Sequence, residues 1–379
     1  MAELRYAFGK NWDEFISTKL SHKIIDASIA HLQKFLRRND LAGLSYLDIG
    51  CGSGIHSLAA LRMGASEVVS FDYDPDSVAT TESVRDWSRK EAGGGANWRV
   101  LRGSALDDGF IDGLGRFDIV YSWGVLHHTG AMWEAVRNAA RALRPSGELY
   151  IALYSTENYV DPPPDYWAGL KRDYNRASPL ARKIMEMRYL HWRVIEPDVV
   201  AGRGGLASIG AYGNRGMTVW TDVKDWLGGY PIEFAGYAET RDFCRRELGL
   251  DLVNVLAGEG CTEYLFTRLA DNPRWSAIEA ARRRVPLSSP FAPVRGRGYR
   301  AQLPAELAPL GDLDGDHMRS PLMLYEDGEP LGLAHSNRDI ICDFGAGRFR
   351  HAGAEVVFSA SDGSDPNVNG RAYAFCPSY

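Results

Sequence analysis

Short apolar segments alternate with helix-like segments over the first 155 residues. The segments between the apolar ones, such as IHSLAALRMG (55–64) and MWEAVRNAARALRPSG (132–147), place apolar residues at helical spacing. Regular alternation of strand and helix predicts a parallel sheet covered by helices on both faces, which is a doubly wound α/β fold. The five predicted strands are SYLDIG (45–50), SEVVSFDYD (66–74), NWRVLRGS (97–104), RFDIVYSW (116–123) and GELYIALYS (147–155).

The alternation stops after the fifth predicted strand. Residues 155–235 contain three consecutive prolines, the glycine-rich AGRGGLASIGAYGNRG and four tryptophans. We interpret this region as a long insertion over the carboxyl edge of the sheet. The pattern then resumes with ETRDFCRRELG as a helix, and with DLVNVLA and CTEYLFTRL as the last two strands.

The C-terminal part of the chain has a different pattern. Residues 282–300 hold three prolines and six arginines without an acidic residue, which is typical of a linker. The segments that follow are short apolar runs separated by turn signals, and they predict β-structure that docks on the main domain or on its symmetry mate. The predicted regions are a helical lid at 1–40, a main domain at 41–275, a linker at 276–312 and a small β-rich accessory domain at 313–379.

The composition of the chain indicates which partners and which location to expect. The net charge of −6 predicts no general attraction to nucleic acid or to an acidic membrane. No run approaches the roughly 18 apolar residues that span a bilayer, so we expect no membrane partner. The five cysteines are scattered and form no CxxC, which argues against a metal site or a disulfide framework. A reducing, cytoplasmic location is the expectation that fits this cysteine usage.

The segment LDIGCGSG (47–54) indicates a ligand site. Glycines at alternate positions behind a strand let a ligand approach the backbone closely. The dinucleotide pattern G-x-G-x-x-G/A fails, because Ile55 or Ser57 stands at the third position, and no Gly-Lys-Ser/Thr follows for a phosphate loop. S-adenosylmethionine has no phosphates to wrap, and Asp72 at the end of the second strand can take its ribose hydroxyls.

This arrangement resembles the class I S-adenosylmethionine-dependent methyltransferases, whose Rossmann-like sheet has seven strands. Their D/E-x-G-x-G-x-G motif stands here as Asp48-Ile-Gly50-Cys-Gly52-Ser-Gly54, and the resemblance extends from residue 1 to about 270. AFGKNW and RGMTVWTDVKDWLGGYPIE also resemble a bacterial subgroup associated with glycan and natural-product gene clusters. Ser104 departs from the family, which often has an acid beside the adenine amine at that position.

The resemblance implies a set of cofactor contacts along the carboxyl edge of the sheet. Tyr73 is a candidate for packing on the adenine, and Trp123 is a further one. Phe8, Lys10 and Trp12 could form a lid over the cofactor, although an ordinary amphipathic helix is an equal alternative. The predicted cofactor residues are Asp48, Gly50, Cys51, Gly52, Gly54, Asp72, Tyr73, Ser104, Ala105, Ser122, Trp123 and Trp12.

Methyl transfer needs alignment of the two reactants and exclusion of water, and it needs a base only for a hydroxyl or a protonated amine. His127 and His128 follow the fourth strand and titrate near neutral pH, so they are candidate bases. Tyr154 at the end of strand five is an alternative. One or both histidines could instead cap a helix or pack against the cofactor.

The sequence indicates the methyl acceptor less clearly than the methyl donor. We predict a small molecule, with a hydroxyl of a sugar or glycan precursor as the best guess. Methylation of an amine or a natural-product scaffold is an alternative, and a non-catalytic S-adenosylmethionine-binding protein is another. The tryptophans of the insertion could stack on a sugar or an aromatic ring, or they could pack in its core. A homodimer is possible, and nucleic acid is not an expected partner.

Overall fold

A computed structural model describes residues 22–92, 97–202, 204, 209, 219–258, 260–313 and 319–377. The predicted strand and helix alternation is confirmed over residues 45–154. The strands are β1 (Ser45–Ile49), β2 (Glu67–Asp72), β3 (Trp98–Arg102), β4 (Phe117–Trp123) and β5 (Leu143–Tyr154). The helices around them are α1 (His22–Leu36), α2 (Ile55–Arg62), α3 (Pro75–Ala92), α4 (Asp108–Leu114) and α5 (Met132–Arg141).

The predicted N-terminal lid is described only in part. Helix α1 buries Ile25, Leu32, Phe35 and Leu36 along one face, as expected for an amphipathic helix. Phe8, Lys10 and Trp12 lie outside the described residues, so the lid stays a prediction.

The main sheet has seven strands in the order β3-β2-β1-β4-β5-β7-β6, where β6 is Asp251–Ala257 and β7 is Cys261–Thr267. Strands β1 to β5 are parallel, whereas β6 and β7 pair antiparallel. This order is that of a doubly wound fold of the predicted Rossmann-like kind. Because parallel strands point the same way, the carboxyl ends of β1 to β5 meet at one edge of the sheet.

The insertion after β5 forms a small helical layer. Its helices are α6 (Pro164–Arg176), α7 (Pro179–Leu190), a π-helical turn (His191–Ile195), α8 (Glu196–Val200) and α9 (Val219–Gly228). Tyr174, Leu190, Val219, Val223 and Leu227 make its core. The insertion returns to the carboxyl end of β5, where the Ala235 amide donates to the Tyr154 carbonyl at 3.0 Å. The end of the insertion therefore lies at the carboxyl end of β5, and the placement of the whole insertion over this edge stays a prediction.

The chain divides into two compact units, one ending at Ala235 and the other beginning at Gly236. The described part of the second unit includes β6, β7, α10 (Tyr237–Leu248), α11 (Pro273–Ala281) and α12 (Arg338–Phe344). Its remaining strands form two four-stranded sheets, in the orders β13-β14-β10-β9 and β12-β11-β15-β8. They are β8 (Val285–Pro286), β9 (Ala292–Arg295), β10 (Gly298–Gln302), β11 (Met323–Glu326), β12 (Glu329–Leu331), β13 (Phe349–Ala352), β14 (Glu355–Phe358) and β15 (Tyr373–Cys376).

The stretch predicted as a linker is instead built into these sheets. Residues 276–312 contain most of α11, the strands β8, β9 and β10, and a 3₁₀ helix at Ala305–Leu310. Pro286 lies in β8 and Pro293 in β9, and both strands are at the edge of their sheets. Edge strands tolerate proline because its missing N–H faces away from the ladder. The high proline content therefore marks sheet edges here, and the boundaries predicted for the domains stay a prediction.

The C-terminal β-structure contacts α10 within the second unit. The Tyr237 hydroxyl donates to the Pro330 carbonyl at 2.6 Å, and Arg245 forms an ion pair with Glu329 at 3.0 Å. In the described part of the chain, no helix has both the length and the apolar character needed to cross a membrane.

Candidate cofactor and acceptor site

The loop after β1 is bent by three glycines in the left-handed region. Their φ angles are 76° at Gly50, 51° at Gly52 and 74° at Gly54. A Cβ atom on Gly50 would lie 2.4 Å from Val125 Cγ1, and one on Gly54 would lie 2.8 Å from Thr81 Cγ2. Glycine is therefore required at both positions by conformation and by packing. The loop packs against the segment after β4, and the backbone of Gly50 and Gly52 stays partly exposed.

Asp72 ends β2 with its carboxylate beside this loop. Its Oδ2 accepts a hydrogen bond from the Gly52 amide at 3.0 Å, and its Oδ1 accepts one from the Asp74 amide at 2.9 Å. Burial raises the pKa of Asp72 to about 6, against the lowering effect of these amides. Each oxygen can accept a further hydrogen bond, so the carboxylate fits the two hydroxyls of a ribose. Tyr73 is 48% exposed beside it and is accessible to an adenine ring.

The Asp48 side chain is buried and takes part in a hydrogen-bond network inside the fold. Trp98 Nε1 donates to Ser70 Oγ at 2.8 Å, the Ser70 and Ser57 hydroxyls are 2.6 Å apart, and Ser57 Oγ donates to Asp48 Oδ2 at 2.5 Å. An indole N–H can only donate and a carboxylate accepts, so each hydrogen bond in this series is donated from the Trp98 side toward Asp48. Burial raises the pKa of Asp48 to about 7, and the nearby Asp72 charge adds to this. The network holds β1, β2, β3 and α2 together behind the glycine loop.

Cys51 and Ser122 also have partners inside the protein. The Cys51 sulfur accepts from the Thr81 hydroxyl at 3.3 Å, and burial raises the pKa of this thiol well above its usual value. The Ser122 hydroxyl donates to the Ile49 carbonyl at 2.9 Å and is fully buried. This bond ties β4 to β1, so the hydroxyl of Ser122 serves the sheet rather than a ligand.

The remaining predicted cofactor residues lie where β3 and β4 end. Ser104 Oγ accepts from the Leu106 amide at 3.1 Å and shapes the turn after β3. The Ala105 carbonyl accepts from Asn138 Nδ2 at 3.0 Å. Trp123 is the last residue of β4 and is partly exposed at the carboxyl edge. Trp12 lies outside the described residues.

The side chains of His127, His128 and Tyr154, the candidate bases, lie close together in the structure. The ring of His127 is centred 4.1 Å from that of Tyr154 and 4.4 Å from that of His128. His128 Nδ1 lies 2.7 Å from the Pro231 carbonyl. Since a carbonyl only accepts, Nδ1 carries the proton, and the lone pair of neutral His128 is on Nε2. The tautomer of His128 is thus set for accepting a proton.

His127 is the more buried of the two histidines. It is fully buried, and no described residue is a hydrogen-bond partner of either ring nitrogen. Burial lowers its pKa well below the usual value, and the positive charges of His128 and Lys171 lower it further. A neutral imidazole without partners in the described chain is a costly feature in a protein interior.

The insertion contributes an aromatic layer and a buried cation next to these residues. The ring of Trp226 is centred 5.6 Å from that of Tyr154 and 5.7 Å from that of Tyr159, and Phe234 stacks on Tyr154 at 5.9 Å. Lys171 Nζ donates to the Trp226 carbonyl and lies 3.7 Å from the centre of its ring. Burial lowers the pKa of Lys171 to about 7, against the influence of Asp225. We refer to Tyr154, Tyr159, Lys171, Trp226 and Phe234 as the acceptor layer.

Sequence reasoning missed three residues of this side of the site, namely Lys171, Pro231 and Glu233. Glu233 Oε2 accepts from the Met132 amide at 2.9 Å and so caps the start of α5. The partners His128 and Pro231 are 103 residues apart in the chain, and Met132 and Glu233 are 101 apart. No local spacing pattern can connect residues at such distances. The aromatic residues of the insertion were the one signal available in the sequence.

The strand order, the glycine loop and the acid at the end of β2 define a nucleoside-binding domain of the doubly wound class. Residues 47–151 match a family described as "Methyltransferase domain". Residues 47–151 therefore carry a methyltransferase domain, and the cofactor of such domains is S-adenosylmethionine. The accessible Gly52, Asp72 and Tyr73 fit that cofactor. Membership of the bacterial subgroup stays a prediction.

Several relatives share this domain but differ in length. A tRNA U34 carboxymethyltransferase of Hahella chejuensis is 31% identical over 202 residues, which are 52% of this chain and 58% of that protein. A ubiquinone biosynthesis O-methyltransferase of a Methylobacterium species is 28% identical over 150 residues, 37% of this chain and 57% of that one. The chain thus spans less than two thirds of these relatives.

Among solved structures, a magnesium protoporphyrin IX methyltransferase from Synechocystis with bound SAH aligns with a TM-score of 0.40 at 13% identity. The alignment covers 68% of this chain and 93% of the other.

Proposed function

We propose that this protein transfers a methyl group from S-adenosylmethionine to a hydroxyl of a small-molecule acceptor, with His128 as the base. The observation that carries the proposal is the 2.7 Å hydrogen bond between His128 Nδ1 and the Pro231 carbonyl. Because this bond places the proton of neutral His128 on Nδ1, Nε2 is the ring atom that can accept a proton. His128 follows β4 at the carboxyl edge of the sheet, where the glycine loop and Asp72 also lie. Methylation of an amine that is already neutral would not need a base held in this way.

The cofactor would be held by the Gly50 and Gly52 backbone and by Asp72, with Tyr73 beside the adenine. When bound, it supplies a methyl group on a sulfonium, which is already activated for transfer. The chain's own residues position the acceptor and exclude water. His128 Nε2 takes the hydroxyl proton as the oxygen forms its new bond to carbon. The neutral His127 packs against His128 and Tyr154 and keeps a second positive charge away from the base.

The acceptor layer favours a molecule with a flat or apolar face. Trp226, Tyr159 and Phe234 present rings on which a sugar or an aromatic ring could stack. A hydroxyl of a sugar or glycan precursor therefore stays our first acceptor class. A phenol is the nearest alternative, and one relative is named for O-methylation in ubiquinone biosynthesis. Another is named for tRNA, so nucleic acid belongs in any acceptor test. A cytoplasmic location and a homodimer stay predictions.

A radiolabelled donor screen separates these acceptor classes. Purified protein is incubated with methyl-labelled S-adenosylmethionine and, separately, with sugar nucleotides, phenols, small amines and bulk tRNA. We expect label on a hydroxyl acceptor, with activity that rises as a base is deprotonated. A flat pH profile above the pKa of an amine acceptor would favour amine methylation. Tight donor binding without label in any acceptor would favour a non-catalytic binding protein.

The change His128→Asn tests the base directly. The asparagine amide can still donate to the Pro231 carbonyl, but it cannot take a proton. We expect kcat to fall by roughly 10²–10⁴ while the donor Kd stays unchanged. His22→Ala is the matched control, because the His22 side chain is 72% exposed and lies outside the site. Near-wild-type turnover of His128→Asn would exclude His128 as the base.

A further inference from the structure

One helical face of the insertion exposes large apolar side chains without a structural reason. The helical run from Pro179 to Val200 comprises α7, the π-helical turn and α8. Its inner side packs on the core of the insertion through Met185, Tyr189 and Leu190. The opposite side, called the outer face, exposes Leu180 (73%), Ile184 (53%), Met187 (47%), Trp192 (38%), Val199 (60%) and Val200 (81%).

The exposed side chains follow the helix rather than scatter over the surface. Leu180, Ile184 and Met187 are spaced by four and then three residues, which places them on one side of α7. Trp192 follows in the π-helical turn, where its partly exposed ring also stacks on Trp167, and the exposed Val199 and Val200 follow in α8. A contiguous apolar strip of this kind is unusual on a soluble surface and marks an interaction site. At about 1.5 Å per residue, the run is roughly 33 Å long.

The charges on the outer face are mainly positive. Lys183, Arg188 and Arg193 are exposed in this run, and Arg193 is also hydrogen-bonded to Tyr189. Of the acidic residues in this fully described run, Glu186 and Asp198 are buried, and Glu196 is exposed. Glu186 is also bonded to the Tyr174 hydroxyl at 2.9 Å and to Lys183 at 3.2 Å. Among the lysine, arginine and acidic side chains of the run, three basic ones and one acidic one are thus exposed, on a chain whose net charge is −6.

Two tryptophans border the outer face. Trp192 belongs to it, and the exposed Trp220 lies beside it, with Lys183 Nζ 5.1 Å from the centre of its ring. Tryptophan and basic side chains flanking an apolar helical face are typical of helices that lie in the interface of a lipid bilayer. A second copy of the chain is a poorer match, because a two-fold contact between outer faces would bring like charges together.

We propose that the outer face binds the surface of an anionic lipid bilayer, with the helical run lying in the plane of the interface. The apolar side chains insert among the acyl chains, and Lys183, Arg188 and Arg193 contact the acidic headgroups. No spanning helix is involved. Trp192 stacks on Trp167 at 5.9 Å, and Trp167 contacts Trp226 of the acceptor layer at 5.2 Å. The bound surface is thus two aromatic contacts from the proposed acceptor site.

Vesicle flotation tests the proposal. The full-length protein is mixed with vesicles of phosphatidylcholine and phosphatidylglycerol in a 7:3 ratio, or with pure phosphatidylcholine. We expect strong flotation with the anionic vesicles at low salt, weak flotation with the neutral ones, and a loss of binding as salt rises. Absence of wild-type binding to anionic vesicles at low salt overturns the proposal.

Paired variants locate the binding surface. Leu180→Glu combined with Ile184→Glu should lower anionic vesicle binding at least tenfold, because it places two acids on the outer face. Val368→Glu is the matched control, since Val368 is 81% exposed in the second unit, and it should bind like the wild type. Arg188→Gln with Arg193→Gln should weaken binding to anionic vesicles and leave the weak neutral binding unchanged.

Two readouts separate membrane binding from other outcomes. S-adenosylmethionine affinity, measured by calorimetry, should be the same in all variants and shows that they are folded. Membrane binding is independent of methyl transfer, so an inactive but vesicle-bound protein would contradict only the proposed function. Unchanged vesicle binding of the double glutamate variant overturns the assignment to the outer face. A dimer that the double variant dissociates, without vesicle binding by the wild type, would assign this face to a second copy.

Discussion

The cofactor side and the acceptor side of this site are built in different ways. On the cofactor side, polar groups find partners close by, as Asp72 does with the amides of Gly52 and Asp74. On the acceptor side, partners come from segments about 100 residues apart, and His127 and Trp226 Nε1 have no hydrogen-bond partner among the described residues. The first is a loop whose polar groups are satisfied, whereas the second keeps buried polar atoms without a hydrogen-bond partner in the described chain.

The difference teaches which side tolerates change. A close-packed loop loses its shape when one methyl group is added, because nothing nearby can move away. The acceptor layer contains partly exposed rings and the buried Lys171, a combination that does not maximise the stability of the fold. The two sides should therefore respond differently to substitution, and four changes test this.

The largest effect is expected for Gly50→Ala on the cofactor side. The new Cβ would lie 2.4 Å from Val125 Cγ1, in addition to the strain at a φ of 76°. We expect a loss of about 2–4 kcal/mol in the free energy of unfolding, together with loss of donor binding. Gly43→Ala is the control, because Gly43 has a φ of 78° and nothing within 4 Å of the added Cβ. It should cost only about 1 kcal/mol. Equal losses in the two variants would show that packing against Val125 is unimportant.

Asp72→Asn should weaken donor binding by about 1.5–3 kcal/mol, since a charge-assisted pair of hydrogen bonds to the ribose is lost. The pKa of Asp72 is about 6, so the wild-type donor affinity should fall as the pH drops through 6, where the carboxylate becomes protonated. Titration calorimetry between pH 5 and pH 8 measures both effects. The variant should lack this pH dependence, and the exposed Asp76→Asn should keep it. A donor Kd that Asp72→Asn leaves unchanged would remove Asp72 from the site.

Lys171→Met should instead stabilise the protein at pH 7, by about 1–3 kcal/mol. Folding lowers the pKa of Lys171 from its ordinary value near 10.4 to about 7. Between these values the unfolded chain binds more protons, so wild-type stability should rise with pH over this window. The variant should lose that slope. Lys224→Met, at an exposed lysine of α9, is the control and should change little. Destabilisation by Lys171→Met would mean that Lys171 is a structural residue.

Glu233→Ala should have the smallest effect, a loss of about 1 kcal/mol in the free energy of unfolding, because it removes the carboxylate that caps α5 at the Met132 amide. The exposed Glu196→Ala should cost less. Chemical denaturation measures both variants. The Glu233 amide also donates a hydrogen bond to the carbonyl of His127, the neighbour of His128, at 2.8 Å. If Glu233→Ala also lowered kcat without changing the donor Kd, Glu233 would therefore be a residue that positions His128.

Sequence reasoning succeeded where the structure depends on local patterns. The five strands from residue 45 to 154 were predictable because apolar strands and amphipathic helices alternate with clear glycine and proline ends. The glycine loop and Asp72 follow from one motif and one strand end. The edge strands β8 and β9 were missed because their prolines resemble a linker, and proline is tolerated there only once a sheet supplies an edge.

The sequence by itself determined the class of fold, the cofactor and the strand ends that are predicted to hold it, because strand length, helix period and glycine conformation are local properties. It also placed His127 and His128 near the site. Only the tertiary structure decided which ring nitrogen of neutral His128 carries the proton, because this depends on a carbonyl 103 residues away in the chain. The burial of Lys171 and the exposure of the outer face were decided in the same way, since a side chain's solvation depends on which segments pack around it.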